Sequence, residues 1–332
     1  EIMEFVSRHG PVGGLLALAA AGITYALLLF GTFELGRQTR QFEYHGFFRV
    51  LLGPLGFLYE VVILVGLVIT LAICVTASGA ITGERFGMPS WIGSAGLLLI
   101  VFALTYKGRV LVEKSMILAV LALAVLLLAL LSQLAGEPAQ RIAQAFATED
   151  VAWDAWQGGA QYALVNGGFI PLLLYCARGV RSRGQSALAA VTAASVAILP
   201  GLVFHYAFMS AYPGIVEERL PTYVLFSQVA SDLLLDAYVV VLFVLVAQTG
   251  VGVLQGFLER VDSWHAERYD RPLTPVGHGL VAVGMVVASM ALSSLGIIAL
   301  ILTGYTILAA SFILVFAVPL LSRGMWMIFR PG

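Results

Sequence analysis

Residues 162–175 read YALVNGGFIPLLLY. The run is apolar enough to lie inside a membrane, yet Asn166, Gly167, Gly168 and Pro171 are among the poorest helix formers. In hydrocarbon a free backbone N–H or C=O costs several kcal/mol, so an unwound turn survives only where it is buried in protein or lines a polar cavity. Each glycine gives up about 1 kcal/mol of helix propensity relative to Ala and lets another group approach the main chain. Pro171 has no N–H and its ring clashes with the carbonyl four residues back, which belongs to Gly167, so the break and the glycine pair coincide. Asn166 adds a side chain that both donates and accepts hydrogen bonds. Two readings follow: a substrate site built on opened main chain, or a kink whose small residues allow tight helix packing.

The rest of the chain fixes the solvent. Of 332 residues, 60% are hydrophobic and 11% charged, and the mean hydropathy is +0.95, so this is an all-α polytopic membrane protein. A net charge of -1 and the absence of a basic run exclude nucleic acid as a partner; the partners implied are the lipid bilayer and a small-molecule solute. Cys74 and Cys176 fall in apolar spans, read as inert core thiols, and two cysteines build no zinc or disulfide pattern. Apolar runs long enough to cross lie at 12–35, 53–81, 89–106, 109–134, 157–177, 185–210, 234–258, 276–293 and 296–321. The opening EIMEFVSRHGPVGG reads as the outer end of a further, truncated helix, with no signal-peptide pattern before it.

Charge sets the orientation. Arg37, Arg40, Arg49, Lys107, Arg109, Arg178, Arg181, Arg183, Arg260, Arg268, Arg271, Arg323 and Arg330 fall on one side, against Arg8, Arg85, Arg141 and Arg219 on the other. The first set is therefore cytoplasmic, as is the C-terminus, in what reads as the cell (inner) membrane. Segments 135–156, with Trp153 and Trp156, and 210–233 read as surface helices, either lids or connectors. Counting the partial helix, five spans precede 135–156 and five follow. An odd number per half forces opposite orientations, so residues 1–134 and 157–332 are expected to form a 5+5 inverted repeat joined by 135–156. In that architecture the first helix of each half is broken, and the first helix of the second half carries Asn166-Gly167-Gly168.

The order and spacing of EIMEF at 1–5, ASGAITGERFGMPSWIG at 77–93, QYALVNGGFIP at 161–171, ERLPTYVL at 218–225 and AQTGVG at 247–252 resemble the YkvI-type membrane proteins. These are permeases of the amino acid–polyamine–organocation superfamily with a LeuT-like fold, and the resemblance covers nearly the whole chain. It implies that Glu1 follows the unwound segment of the first helix. The family's tyrosine before the asparagine of the sixth span is Val165 here, which removes a phenolic contact. Where LeuT-like symporters place a hydroxyl pair for sodium in the eighth span, this chain has Gln248 and Thr249. Some proton-coupled or uncoupled members place a fifth-span Lys there instead, and Lys114 lies about 8 Å into that span by helical rise. Its ammonium would mimic the cation and exchange a proton, or it snorkels and pairs with Glu113.

Other embedded groups carry less. Glu60, about 10 Å into its span, is either a proton carrier or cation counter-charge, or a structural partner of a loop Arg. Glu34 beside Arg37 reads as interfacial, and so do His205 and Tyr206. The sequence has no HExxH, Walker loop or paired-carboxylate motif, so no enzyme and no cofactor is expected beyond Na+ or H+ as a coupling ion. The expected function is secondary transport of an amino-acid-like or amine solute by alternating access. Substrate would contact Asn166, Gly167 and Gly168, with Tyr162, Phe169 and Tyr305 walling the cavity, and Thr249, Gln248, Lys114, Glu60 and Glu1 serving ion coupling. The alternatives are a non-transporting sensor or scaffold of the same fold, or a metal-ion carrier, against which stands the absence of Met or His beside Asn166.

Overall fold

The computed structural model describes residues 1–107, 109–148, 152–218 and 220–330; the side chains of 106, 107, 109–116 and 148 lie outside that description. Every regular element among the described residues is helical. The short α1 (Ile2–Phe5) and a turn at Ser7–His9 lead through Gly10, held at φ +78°, into α2 (Gly10–Thr39). Pro11 suits this start because its missing N–H is not needed in a first turn, and α2 stops where Arg40 turns left-handed. Then come α3 (Tyr44–Leu52), α4 (Phe57–Phe86), α5 (Ser90–Lys107), α6 (Arg109–Gln133) and α7 (Glu137–Thr148). The second half holds α8 (Trp156–Gly167), a tight 3-10 segment at Ile170–Gly179, α9 (Arg183–Phe208), α10 (Pro221–Val229), α11 (Asp232–Tyr269) and α12 (Pro275–Ser293). The last run, Ile297–Phe329, contains α13 (Ile297–Ala299), α14 (Tyr305–Phe312) and α15 (Met325–Phe329), separated by π-helical turns at Leu300–Gly304, Ile313–Ala317 and Leu320–Gly324.

Side-chain caps mark the starts that the sequence places after turns. Ser182 accepts from the Gln185 amide, Ser231 from that of Leu234 and Thr274 from that of Gly277, opening α9, α11 and α12. Each of the nine apolar runs falls on helical structure, and the segments 135–156 and 210–233 contain α7 and α10. Among the described residues, six helices are individually long and apolar enough to cross a membrane, or eight if each sharply bent pair is one span; one such pair is α8 with Ile170–Gly179. The protein is thus a multi-pass helical membrane protein. The amphipathic α3, which buries Phe47, Phe48 and Leu51, falls in a stretch the hydropathy reading leaves mostly as a connection.

The chain divides into two compact units that interleave the halves of the sequence. One comprises Glu1–Ile63, Leu134–Pro221 and Tyr305–Gly332. Its core is an aromatic column: Tyr59 stacks on Phe48 at 3.9 Å and 18°, and Phe47, Phe312 and Phe316 are buried with them. The other comprises Leu64–Gln133 and Thr222–Gly304. There the ASGAITG stretch packs α4 on α5: Ser78 donates to the Gly93 carbonyl and Ser94 to that of Val75, both at 3.0 Å. A side chain at Gly93 would collide with the Ser78 carbonyl and the Thr82 hydroxyl, so only glycine permits that approach. In the same unit Arg85 pairs with Asp236, and Phe226 stacks on Tyr238 at 4.3 Å.

Three positions show what the sequence reading did not. Glu34 and His205, read as interfacial, are both wholly buried in protein. The sequence shows Glu34's neighbour Arg37 but not Ser186, which donates to its carboxylate at 2.8 Å from 152 residues away. His205 lies between the Ser7 hydroxyl, 3.0 Å from Nδ1, and the Pro11 carbonyl, 2.9 Å from Nε2; Gly14 leaves the space its ring occupies. A carbonyl only accepts, so Nε2 carries the proton and Ser7 donates to Nδ1. Cys74 is buried as expected, whereas Cys176 is exposed.

Candidate functional site

The last regular turn of α8 closes with the Gly168 amide donating to the Leu164 carbonyl at 3.1 Å. The next bond is shorter in sequence: Phe169 donates to Asn166 at 3.2 Å, and Leu172 to Phe169 at 3.0 Å. This tightening follows from Pro171, which has no N–H to offer the Gly167 carbonyl. The axis turns by 70° between Trp153–Gly167 and Ile170–Gly179. The break that the glycine pair and Pro171 specify is therefore present, at residues 168–169.

Its main chain is held on one side by aromatic groups. Tyr59 donates to the Gly168 carbonyl at 2.9 Å in a buried bond. A Cβ on Gly168 would run into the Phe312 ring, and Phe169 meets Phe312 edge-on at 6.0 Å. On the other side Asn166 Nδ2 donates to the Tyr162 carbonyl at 3.1 Å and to Glu1 Oε2 at 3.2 Å. Tyr162 packs edge-on to Tyr25 at 6.2 Å and lies 6.5 Å from Phe5. The α14 helix joins through Thr306, which accepts from Gln161 at 2.9 Å; Tyr305, next to it, is buried.

Glu1, Tyr162, Asn166, Gly167, Gly168, Phe169 and Tyr305 thus belong to one unit, and the first six gather along the broken helix. Glu60 lies in that unit too, and His45 of α3 stands beside it, with Nε2 3.2 Å from Oε1. Gln248 and Thr249 lie on α11 in the other unit. Gln248 is buried, while Thr249 is exposed and returns its hydroxyl to the Leu245 carbonyl of its own helix at 2.9 Å. Lys114 is on α6, and its side chain, like that of Glu113, is outside the described residues. The group the sequence reading missed is Tyr59, whose only signal was its place beside Glu60 in FLYEVV. Replacing Tyr59 with Phe is expected to cost about 1 kcal/mol, the net worth of one buried hydrogen bond, read from the shift of the thermal unfolding midpoint.

Among the described residues no group of three His, Cys, Asp or Glu side chains is placed to hold a metal ion. No family model matches the sequence, and no curated protein matches it either. The fold does have a relative among solved structures: the Eremococcus coleocola manganese transporter, crystallised with an aromatic bis-isothiourea substituted compound. It superposes with a TM-score of 0.56 at 15% identity, over 96% of this chain and 77% of that one. The class defined is a helical membrane protein that shares its fold with a transporter.

Proposed function

We propose that the protein is a secondary transporter that moves a small organic solute, amino-acid-like or amine, by alternating access, with a LeuT-like 5+5 inverted repeat. The observation that carries this reading is the break at 168–169, where a side-chain amide and a carboxylate from a second segment meet opened main chain. The solute's polar groups would bond to Asn166, Glu1 and the main chain at Gly167-Gly168, with Tyr162, Phe169 and Tyr305 as walls. The composition of the two units supports the repeat. Helices α2 and α9, each following a first helix, fall in one unit together with α8, and α5 and α12, each fourth in its half, fall in the other; the fifth spans divide, with α6 in one unit and Tyr305–Gly332 in the other. The second and fourth spans of the two halves thus sort alike, as rocking of one unit requires. Na+ or H+ would couple transport, through Gln248 and Thr249 or through Lys114, with the C-terminus on the cytoplasmic side.

A metal-ion carrier is the second reading, favoured by the fold shared with a manganese transporter. Against it, Glu1 and Asn166 offer two donors, and a hard divalent cation takes six or more. A thermal-shift screen of the purified protein with amino acids, amines and organic cations, and separately with Mn2+, tests both, since a ligand that binds only the folded state raises its apparent stability. A hit is then followed by uptake into proteoliposomes. Asn166→Ala is expected to cut uptake of that solute about tenfold or more while the protein stays folded, which corresponds to losing one well-placed hydrogen bond to a polar group. Mn2+ flux with no response to any organic solute would overturn the organic-solute reading in favour of the carrier of metal.

A further inference from the structure

We infer that Thr32 of α2 binds a single buried water that caps the opened main chain of the α8 break. Thr32 is fully buried, and its hydroxyl has no hydrogen-bond partner among the described residues. This is not the habit of threonines in this protein. Thr24 and Thr39, on the same helix, donate to the carbonyls of Ala20 and Leu35, and Thr76, Thr82 and Thr105 likewise bond one turn back. A buried hydroxyl left unmet is costly, so this one needs a partner.

The neighbours say where that partner lies. Leu28, Thr32 and Gly36 are spaced four apart and share one face of α2. A Cβ on Gly167 would sit 3.0 Å from Leu28 Cδ1, and one on Gly36 would sit 2.7 Å from Leu174 Cδ2. One end of the stripe therefore faces Gly167 and the other Leu174, which leaves Thr32 opposite the stretch around Ile170 and Pro171. There Pro171 denies the Gly167 carbonyl its helical donor. A donor without an acceptor thus faces main chain that contains an acceptor without its usual donor. One water joins the two, accepting from Thr32 and donating to the carbonyl.

The test is a high-resolution structure of the purified protein together with the unfolding midpoint of Thr32→Val. Expected is a density peak within about 3.2 Å of Thr32 Oγ1 and of a carbonyl at 165–168, retained in Thr32→Ser. Thr32→Val keeps the shape but strands the water and the carbonyl, so its midpoint should fall by about 2–4 °C. A dry site with the hydroxyl turned back to Leu28 would overturn the inference. So would an unchanged or higher midpoint for the Val variant, the result for a hydroxyl that was merely unmet. A rise in midpoint on exchanging choline chloride for sodium chloride, abolished by Thr32→Val, would overturn it in favour of an ion. None of these outcomes depends on which solute is carried.

Discussion

Glu34→Ala is expected to lower the unfolding free energy by about 2–3 kcal/mol, the largest single effect of any charged side chain described above. Glu34 is completely buried and its carboxylate accepts from Arg37 Nε at 2.8 Å, Arg37 Nη2 at 2.6 Å, Gln38 at 2.7 Å and Ser186 at 2.8 Å. Arg183 Nε lies 3.5 Å away. The same partners reach the end of the chain. Gln38 and Arg183 both donate to the Ile328 carbonyl, at 3.3 and 2.7 Å, and the Arg183 guanidinium lies 4.8 Å over the Phe329 ring. Removing the carboxylate leaves the Arg37 and Arg183 guanidiniums without their shared acceptor and cuts the hydrogen bond that ties Ser186 of α9 to α2. Breaking a fully buried pair costs about 3–5 kcal/mol; the lower figure applies because the side chains of Arg37 and Arg183 are 26% and 49% exposed and water recovers part of the loss. Arg37→Ala should cost less, since Arg183, Gln38 and Ser186 still hold the carboxylate. Glu4→Ala, which breaks an exposed pair with Arg8, should cost under about 0.5 kcal/mol. Equal midpoints for the Glu34 and Glu4 variants would show the hub to be unimportant.

The second large effect is expected at Gly159, in α8. A Cβ there would fall on the main chain of Ala17, against its carbonyl oxygen, carbonyl carbon and Cα. Main chain cannot rotate aside as a side-chain tip can, so α2 and α8 would have to separate. Gly159→Ala should therefore cost about 3 kcal/mol, the upper range for overpacking, and should move Asn166 with the helix. Gly167→Ala is the control. Its Cβ would meet the flexible side-chain tips of Leu28 and Ile170, at 3.0 and 3.6 Å, and alanine favours a helix, so a loss below about 1 kcal/mol is expected. Unfolding of the two variants in the same detergent measures the difference. A Gly159 variant as stable as the Gly167 variant would mean that the two helices are not held at backbone contact.

The break was legible because its causes are local. Gly167, Gly168 and Pro171 weaken and interrupt the helix through their own backbone chemistry, whatever surrounds them, and the apolar runs identified each long helix for the same reason. Partners distant in the chain left no such trace. The i+3 spacing of Glu34 and Arg37 looked like a surface pair because Ser186 and Ile328 were invisible from there. His205 was read from its place near a span end, while Ser7 and Pro11 decide its burial. The contact of Glu60 with His45 was not foreseen, because α3 was too short to register as an apolar run. Thr249 was assigned to ion coupling by the resemblance; the bond from its hydroxyl to the Leu245 carbonyl of its own helix is not visible in the sequence. The π turns of the last run were equally silent, since no residue type demands them.

The interleaving of the two units bears on biogenesis. One needs Leu64–Gln133 together with Thr222–Gly304, and the other is not whole until Tyr305 and the residues after it have emerged. When residue 221 has left the ribosome, neither unit is complete. The early helices must wait in the lipid with their docking faces unmatched, and a stop after residue 304 would withdraw part of the first core to begin forming.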